Sequence, residues 1–375
     1  MRKNSVFRIQ YASEQKVVVG MSGGVDSTIS LILLKKAGWQ PLGVTLKLPI
    51  WEDRCNLLRE NVCCTAESIK TAQEFCKKVN VPYHIIDARE VFKKEVVGYF
   101  TSELKKGRTP NPCIVCNRYL KYKLLFDFGK KVGARYVATG HYVRKRFNKK
   151  TGNYELLVAK DKKKDQTYSL CFLPQKWLKY IIFPLGDYTK EEVYKIAQEI
   201  GLDFYLKTKQ SQDFCFVSGR SIKSFIKKEI KPKPGKIFDK NGKFLGRHTG
   251  LSCYTVGQRK GIRLPGGPWY VIGFDRAQNI LYVSRDKNDL LKNRLIIEPY
   301  SLISEEKIEK PIEVYLRARY HQRTVPAILK PSKKADQIIA VLKKPLSSPT
   351  PGQFAVFYKG QVCLGGGRIV EANSE

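Results

Sequence analysis

The 375-residue sequence contains no stretch that approaches about 18 consecutive apolar residues, the length that a membrane-spanning helix requires. Its first 15 residues lack the continuous apolar core and the small-residue cleavage site of a secretory signal. A membrane protein and a secreted one are therefore not expected, and we predict a cytoplasmic protein. Ten cysteines are too few, in so long a chain, for a disulfide scaffold.

Acidic side chains are also scarce. The sequence has 34 Asp and Glu against 69 Lys and Arg, which gives a net charge of +35. This excess is divided almost equally, with +18 over residues 1–215 and +17 over residues 216–375. Because neutralising phosphates releases counterions and drives binding, the charge favours a nucleic-acid partner. A solvated, Lys-rich surface is the alternative explanation.

Strand-like and helical segments alternate through the first half of the chain. Strands are predicted at Lys16–Gly20, Gln40–Leu48, Tyr83–Asp87 and Tyr136–Thr139, with helices over Ala66–Val79, Glu90–Lys105 and Asn117–Lys131. Such alternation is typical of a parallel sheet with helices on both faces. Further on, Thr189–Glu192 has the pattern of a capping box and predicts the start of another helix.

The pattern changes after about Gln210. Beyond the helix-breaking cluster Lys231–Gly235, short β-type runs are followed by strands and turns in the alternation of a small β-barrel. We therefore predict an α/β fold class with three parts: an N-terminal parallel-sheet domain over residues 1–210, a central β-rich module over 211–290 and a C-terminal β-barrel over 291–375.

The segment Ser22–Ser27 reads SGGVDS and lies directly between the strand Lys16–Gly20 and a helix. Its glycines allow a tight turn, and the backbone N–H groups together with the helix N-terminus then attract an anion. It is not a Walker loop, because no G-x-x-x-x-G-K-[ST] string occurs. A glycine-rich turn without function is the alternative, but the whole string resembles the pyrophosphate loop of ATP pyrophosphatases of the adenine-nucleotide alpha-hydrolase type. Those enzymes cleave ATP between its α and β phosphates and form an adenylated intermediate.

Two further sequence motifs contain cysteines. Gly107–Asn117 reads GRTPNPCIVCN and places Cys113 and Cys116 just before a predicted helix, whose N-terminus lowers the pKa of a nearby thiol. Cys215 lies far downstream, in the string SQDFCF. Taken alone, the Cys113–Cys116 spacing fits half a zinc site or a redox pair, and the His-bearing second half of a zinc site is missing.

Together these strings resemble the tRNA-specific 2-thiouridylase family, in family order and over almost the whole chain. The resemblance continues through Ala138–Tyr142, Lys164–Tyr168, Gly257–Gly261, Arg319–Tyr320, Pro351–Tyr358 and Cys363–Gly367. It implies a tRNA-uridine 2-sulfurtransferase, with an ATP-binding and adenylation domain over 1–210 and a tRNA-binding module over 211–290. The implied reaction is ATP-dependent 2-thiolation of the wobble uridine of tRNA.

The resemblance also implies a role for each matching residue. It assigns ATP binding to Gly20, Met21, Ser22, Gly23, Gly24, Val25, Asp26, Ser27, Leu46 and Gly140. It assigns tRNA contacts to Asn111, Pro112, Cys113, His141, Lys164, Asp165, Gln166, Arg319, Tyr320 and Gln353. Cys116 is the implied nucleophile and Cys215 the implied persulfide carrier, and the two form a disulfide. The implied cofactors and partners are ATP, Mg²⁺ held by Asp26, tRNA, a persulfide donor protein or sulfur relay, and a cellular thiol reductant.

The chemistry of the residues agrees with this implication. Adenylating the uracil C2 oxygen releases pyrophosphate and creates a good leaving group, so that persulfide sulfur from Cys215 can displace AMP. Cys113 departs from the family pattern, since many members carry Asp there as a candidate acid/base, and a thiol has a higher reference pKa.

Three alternatives stay open on the sequence alone. Cys113, Cys116 and Cys215 could jointly ligate an iron–sulfur cluster that activates sulfide, because thiolates are its usual ligands. Cys63 and Cys64 are either further ligands or buried side chains. A different ATP pyrophosphatase and a non-catalytic RNA-binding protein are the rival functions, although the second leaves the SGGVDS loop unexplained.

Overall fold

The computed structural model describes residues 14–50, 66–204, 214–217 and 221–374. The chain divides into two compact units. Unit 1 comprises residues 1–96, 113–221 and 361–363, and unit 2 comprises residues 97–112, 222–360 and 364–375. Within the described ranges, no helix is both long enough and apolar enough to cross a membrane.

A parallel sheet forms the centre of unit 1. Its strands are β1 (Lys16–Gly20), β2 (Gln40–Lys47), β3 (Tyr83–Asp87), β4 (Tyr136–Thr139) and β7 (Ile181–Ile182). The strands β5 (Val143–Asn148) and β6 (Asn153–Val158) form a separate hairpin. The strands of the sheet lie in the order β3-β2-β1-β4-β7, and every neighbouring pair is parallel. Because β1 is central, its valines Val17–Val19 are completely buried, as expected for a β-branched run inside a doubly covered sheet. The predicted parallel α/β domain is confirmed.

Among the described residues, the α-helices in chain order are α1 (Val25–Lys36), α2 (Ala66–Lys78), α3 (Arg89–Phe92), α4 (Gly98–Lys105), α5 (Pro112–Val115), α6 (Tyr122–Val132), α7 (Thr167–Leu170), α8 (Gln175–Leu178), α9 (Lys190–Glu199) and α10 (Ile222–Ile230). Short 3₁₀ turns occur at Leu251–Cys253 and Lys287–Leu290. Two predicted helices differ from the structure, because π-helical segments at Lys93–Val97 and Cys116–Lys121 interrupt them. Such segments are rare and occur frequently at functional sites.

A hairpin in unit 1 is missing from the predicted pattern. It consists of β5 (Val143–Asn148) and β6 (Asn153–Val158), which pair antiparallel. The strand β5, VRKRFN, is too basic to display the apolar alternation by which strands are recognised. The charged Lys145 side chain of this strand is stabilised by distant parts of the chain, since its Nζ donates hydrogen bonds to the carbonyl oxygens of Leu178 and Ile181.

Unit 2 contains a small mixed sheet and a closed barrel. The sheet has the order β10-β11-β8-β9 and is formed by β8 (Gly235–Asp239), β9 (Phe244–His248), β10 (Tyr270–Asp275) and β11 (Ile280–Ser284). The barrel is formed by β12 (Leu291–Leu302), β13 (Ile312–Arg317), β14 (Val325–Pro331), β15 (Ile338–Ser347), β16 (Phe354–Lys359) and β17 (Val362–Asn373). Its order is β12-β15-β14-β13-β16-β17, and β17 returns to pair with β12. The predicted β-rich module and barrel are therefore confirmed, while the three domain boundaries stay a prediction.

The predicted capping box at the start of α9 is present. The Thr189 hydroxyl accepts the Glu192 backbone N–H at 3.2 Å, and the Glu192 carboxylate accepts the Thr189 backbone N–H at 2.6 Å. We expect Thr189→Ala to lower the free energy of unfolding by about 1 kcal/mol, because it leaves a helix N–H without its acceptor. Thr189→Ser retains a hydroxyl and serves as the control in urea denaturation. Equal midpoints for the two variants would contradict this role.

Candidate active site

The SGGVDS loop follows β1 at the carboxyl edge of the parallel sheet in unit 1. The last residue of β1, Gly20, is in register with Val44 of β2 and Thr139 of β4, so the loop lies between the ends of two neighbouring strands. Leu46 is half-buried near the end of β2. Ligands bind at this edge of open α/β sheets, and the structure therefore brings the expected ATP-binding residues of these strands to one edge.

The backbone of the loop requires two of the glycines in this region. Gly23 has φ +76°, and a Cβ atom there would lie 2.4 Å from the Ser68 carbonyl oxygen. A Cβ on Gly140 would approach the Asp26 carbonyl carbon and the Ser27 nitrogen to 2.9 Å. Gly140 therefore packs directly against the start of α1. Within the loop, the Ser22 backbone N–H donates to Ser27 Oγ at 3.2 Å, which holds the turn closed.

A buried ion pair stands beside this loop. Lys190 Nζ lies 2.5 Å from Asp26 Oδ1, and the two side chains are 5% and 35% exposed. The Tyr142 hydroxyl donates to the same oxygen at 2.8 Å, and burial together with the Asp26 charge raises the pKa of Tyr142. The Lys190 ammonium also lies over the rings of Tyr142 and Tyr194. Both of these polar contacts of Asp26 fall on its Oδ1 atom.

The sequence motifs did not predict a functional role for Lys190. The residue lies inside the capping box, which accounts for the helix start and leaves the lysine itself unexplained. A signal was nevertheless present, because a positive charge in the first turn of a helix opposes the helix dipole. A lysine at such a position requires another stabilising contact. In the structure this contact is the ion pair with the Asp26 carboxylate.

The three candidate cysteines differ in exposure. Cys113 is exposed, Cys116 is buried at 7% exposure and Cys215 is half-buried. Next to Cys215, Phe216 is buried and its ring packs edge-on against Phe92 at 5.7 Å. This packing anchors the short described segment that carries Cys215.

The expected activation of Cys116 by a helix N-terminus is not observed. The helical segment begins earlier than predicted, at Pro112, because proline suits the first position of a helix. Cys116 therefore lies one turn inside, at the start of the π-helical segment. Burial raises the pKa of its thiol, and the Lys121 charge lowers it only in part. The burial of Cys116 thus favours the protonated thiol over the thiolate at neutral pH.

The cysteines do not form a ready-made metal site. In the ranges that the structure describes, which include Cys113, Cys116 and Cys215, no group of three or more His, Cys, Asp or Glu is arranged to hold a metal ion. In the described conformation these three thiols are therefore not grouped as a ligand set, and the iron–sulfur alternative stays a hypothesis. Cys63 and Cys64 lie outside the described residues.

Three of the expected tRNA-contacting residues of unit 1, namely His141, Asp165 and Gln166, make hydrogen bonds within the protein. The His141 ring contacts Thr139 Oγ1 at 2.7 Å through Nδ1, and burial holds the pKa of His141 well below its usual value. Asp165 is buried and accepts the Thr167 hydroxyl at 2.7 Å. Gln166 Oε1 accepts the Tyr142 backbone N–H at 2.9 Å, so it supports the tyrosine that binds Asp26. Lys164 is half-buried.

The expected tRNA-contacting residues of unit 2 join neighbouring loops. The Arg319 guanidinium donates to the carbonyl oxygens of Val256 and Ser348 at 2.9 and 2.8 Å. Tyr320 lies next to it and lines an open cavity. Gln353 Nε2 donates to the Thr109 carbonyl oxygen at 3.1 Å. Gln353 therefore holds the loop that leads to Asn111, which is half-buried, and Pro112, which is buried.

Comparison with known proteins identifies the family. Three family models match in succession: a tRNA methyl transferase HUP domain over residues 15–219, a tRNA methyl transferase PRC-barrel domain over 223–285 and an aminomethyltransferase beta-barrel domain over 292–369. The tRNA-specific 2-thiouridylase MnmA 1 of Caldanaerobacter subterraneus subsp. tengcongensis is 42% identical over 359 residues, which cover 94% of this chain and 97% of that protein. The chain belongs to the tRNA-specific 2-thiouridylase family. The resemblance predicted from its motifs is thereby confirmed.

Other relatives agree with this family. The tRNA-specific 2-thiouridylase MnmA of Clostridium perfringens (strain 13 / Type A) is 39% identical over 361 residues, with 95% of this chain and 99% of that protein covered. Among solved structures, the U34-tRNA thiolase NcsA from Methanococcus maripaludis, with its [4Fe-4S] cluster, aligns over 58% of this chain and 65% of that one, with 20% identity and a TM-score of 0.35. That likeness is too distant to bear on the mechanism.

The difference in exposure between the thiols leads to a prediction. With iodoacetamide at neutral pH, Cys113 should be alkylated quickly and Cys116 slowly, because only the thiolate reacts and burial raises the pKa of Cys116. Since that pKa is raised, the rate at Cys116 should still be rising at a pH where an ordinary thiol has reached its plateau. Peptide mass spectrometry measures both rates in one sample. Faster labelling of Cys116 than of Cys113 at neutral pH would contradict this prediction, because it would show that Cys116 is already a reactive thiolate in the protein without substrate.

Proposed function

We propose that this protein is an ATP-dependent tRNA-uridine 2-sulfurtransferase that converts the wobble uridine of tRNA to 2-thiouridine. The observation that carries the proposal is the presence, within one compact unit, of the SGGVDS loop at the sheet edge and of Cys113, Cys116 and Cys215. A loop built for phosphates accounts for adenylation, and the cysteines account for sulfur transfer. We keep the segments 1–210, 211–290 and 291–375 as the adenylation domain, the tRNA-binding module and the barrel.

In the first half-reaction, the phosphates of ATP occupy the loop Gly20–Ser27 and the adenosine lies near Leu46 and Gly140. The uracil C2 oxygen attacks the α-phosphorus, and pyrophosphate leaves. Asp26 would hold Mg²⁺, which would supply positive charge to the departing pyrophosphate. Lys190 and Tyr142 orient the Asp26 carboxylate for this role, because both contact its Oδ1 atom.

Lys190 provides the second positive charge of this step. Its ammonium is already buried beside the loop, so it needs little reorganisation to contact a phosphate oxygen once the Asp26 carboxylate is shared with a cation. Tyr142 keeps Asp26 in place during this exchange, and Gln166 keeps the backbone of Tyr142 in place. The Gln166 side chain thereby acts on ATP binding through two hydrogen bonds.

In the second half-reaction, Cys215 carries the terminal sulfur of a persulfide received from a donor protein or relay. The Cys116 thiolate attacks the Cys215 sulfur, and the bond from that sulfur to the terminal sulfur breaks. The hydrosulfide released in this way displaces AMP from C2, which forms the C–S bond of 2-thiouridine. The enzyme is left with a Cys116–Cys215 disulfide, which a cellular thiol reductant returns to two thiols. Cys113, exposed and close to Cys116 in sequence, is the acid/base candidate at the target base.

The proposed role of Lys190 can be tested by ATP binding. We expect Lys190→Met to weaken binding of Mg·ATP by about tenfold or more, because it removes a buried charge from the phosphate site. Lys195→Met, on the exposed face of the same helix, is the matched control. Isothermal titration with a non-hydrolysable ATP analogue measures both. Wild-type affinity in a folded Lys190→Met protein would exclude the phosphate contact and leave Lys190 as a partner of Asp26 alone.

The two half-reactions can be separated with variants of single residues. Asp26→Ala should lose tRNA-dependent pyrophosphate release, since it disturbs the metal and phosphate site. Cys215→Ser should retain pyrophosphate release and make no 2-thiouridine, because only the sulfur carrier is lost. Cys116→Ser should accumulate a persulfide on Cys215 but fail to transfer it. Labelled pyrophosphate, nucleoside analysis of the tRNA and mass spectrometry of the Cys215 peptide measure these outcomes.

Two results would overturn the proposal. Pyrophosphate release that does not depend on tRNA, without thiolation, would point to a different ATP pyrophosphatase. Thiolation that rises in proportion to bound iron, with no persulfide trapped on Cys215, would replace the persulfide route by the cluster route. Full thiolation by iron-free protein with a persulfide donor would support the persulfide route.

A further inference from the structure

Unit 2 contains a cluster of four cationic side chains around one buried carboxylate. Glu103, near the end of α4, is 3% exposed. Its carboxylate lies 3.4 Å from Lys106 Nζ, 3.4 Å from Arg108 Nη1 and 3.6 Å from Arg368 Nη1. Arg276 completes the cluster, because its guanidinium contacts the Gly107 carbonyl oxygen at 3.5 Å. We refer to Glu103 and these four cationic residues as the Glu103 cluster.

The cluster carries more positive charge than its own residues neutralise. Four cations surround a single carboxylate, and burial next to Arg108 lowers the pKa of Arg276. Glu298 also interacts electrostatically with Arg368, but it accepts a hydrogen bond from Gln337 and pairs with Lys334 at 3.5 Å. Holding like charges together is unfavourable unless an anion joins them.

The hydrogen bonds of the cluster are also incomplete. Its ion pairs, at 3.4 to 3.6 Å, are longer than the roughly 2.7–2.9 Å of charge-assisted hydrogen bonds. The Nε–H groups of Arg108 and Arg368 are buried and have no acceptor among the described residues. Arginine presents its donors in a planar fork that matches the oxygens of a phosphate group. The buried Nε–H groups are not accessible to a phosphate themselves, but Arg276 and Lys106 are exposed and the side chains of Arg108 and Arg368 are 23% and 27% exposed, so a phosphate can reach the excess positive charge of the cluster.

The cluster is joined to the loop that carries the expected target-base residues. Arg108 is followed directly by Thr109, whose carbonyl oxygen accepts from Gln353 and whose backbone N–H donates to the Pro351 carbonyl oxygen. Only two residues separate Arg108 from Asn111. Three residue steps span at most about 11 Å of backbone, so Arg108 and Asn111 lie on one short stretch of the same loop.

We infer that the Glu103 cluster binds a backbone phosphate of the tRNA next to the target nucleotide. Arg108, Arg276 and Arg368 supply the donors, and Glu103 positions Arg108 and Arg368. This inference rests on the proposed function, because it takes the polyanion to be the tRNA substrate. It adds a phosphate site that fixes the register of the anticodon loop, whereas Asn111 and Pro112 contact the base.

The experiment measures tRNA affinity as a function of salt concentration. We expect Arg276→Gln to reduce the slope of log Kd against log salt by about 0.7–0.9, the value for one lost phosphate contact. Arg276 is not one of the three cations paired with Glu103, so this variant leaves those ion pairs in place. Lys330→Gln, at an exposed position of the barrel strand β14 in the same unit, removes the same charge outside the cluster and outside the tRNA-binding module, and it should leave the slope unchanged.

A second measurement identifies the phosphate. A set of anticodon stem-loops, each with one uncharged methylphosphonate, should contain a position near the target uridine that weakens binding to the wild type and not to Arg276→Gln. An unchanged slope in Arg276→Gln and in Arg276→Gln/Arg368→Gln, with wild-type thermal stability, would overturn the inference while thiolation by the wild type continued. Absence of thiolation by the wild type would instead refute the proposed function, because the slopes report binding alone.

Discussion

The ion pair between Lys190 and Asp26 is the contact on which the candidate active site depends. A lysine at 5% exposure requires a partner, because an unpaired buried charge is strongly destabilising. Its partner is the first-turn carboxylate of α1, which lies within the phosphate loop. Tyr142 binds the same carboxylate oxygen, so three segments distant in sequence meet at one atom. This contact joins the start of α9 to the loop and orients the carboxylate before any ligand arrives.

The state of the thiols fits a reaction in which adenylation comes first. Burial raises the pKa of Cys116, so the resting protein does not present a reactive thiolate there. Under the proposed function, Cys116 is the nucleophile, and a nucleophile that stays protonated until substrate alters its surroundings does not consume a persulfide without product. The π-helical segment Cys116–Lys121 provides one physical means of such a change, since its hydrogen-bond pattern differs from that of the α-helices on both sides.

Several residues with implied tRNA contacts support other parts of the site. Gln166 holds the backbone of Tyr142, Arg319 joins two loops of unit 2 and Gln353 holds the loop before Asn111. Under the proposed function, such residues act on substrate binding indirectly, because their hydrogen bonds fix the loops that carry the other proposed contacts. The Glu103 cluster extends the same principle, since its buried carboxylate orients two arginines.

The sequence alone determined the fold class, the family, the central strands and the place of the SGGVDS string between a strand and a helix, because these depend on local patterns: the valine run Val17–Val19, the string SGGVDS and the capping box at Thr189. It did not predict the β5–β6 hairpin, whose basic strand lacks apolar alternation, or the π-helical segments, which interrupt helices of ordinary composition. It also did not identify Lys190 or the Glu103 cluster. The partners of Lys190 and Glu103 come from distant parts of the chain, at Asp26 and at Arg276 and Arg368. The energy of a buried charge depends on which groups surround it in space, so only the tertiary structure decided what these residues do.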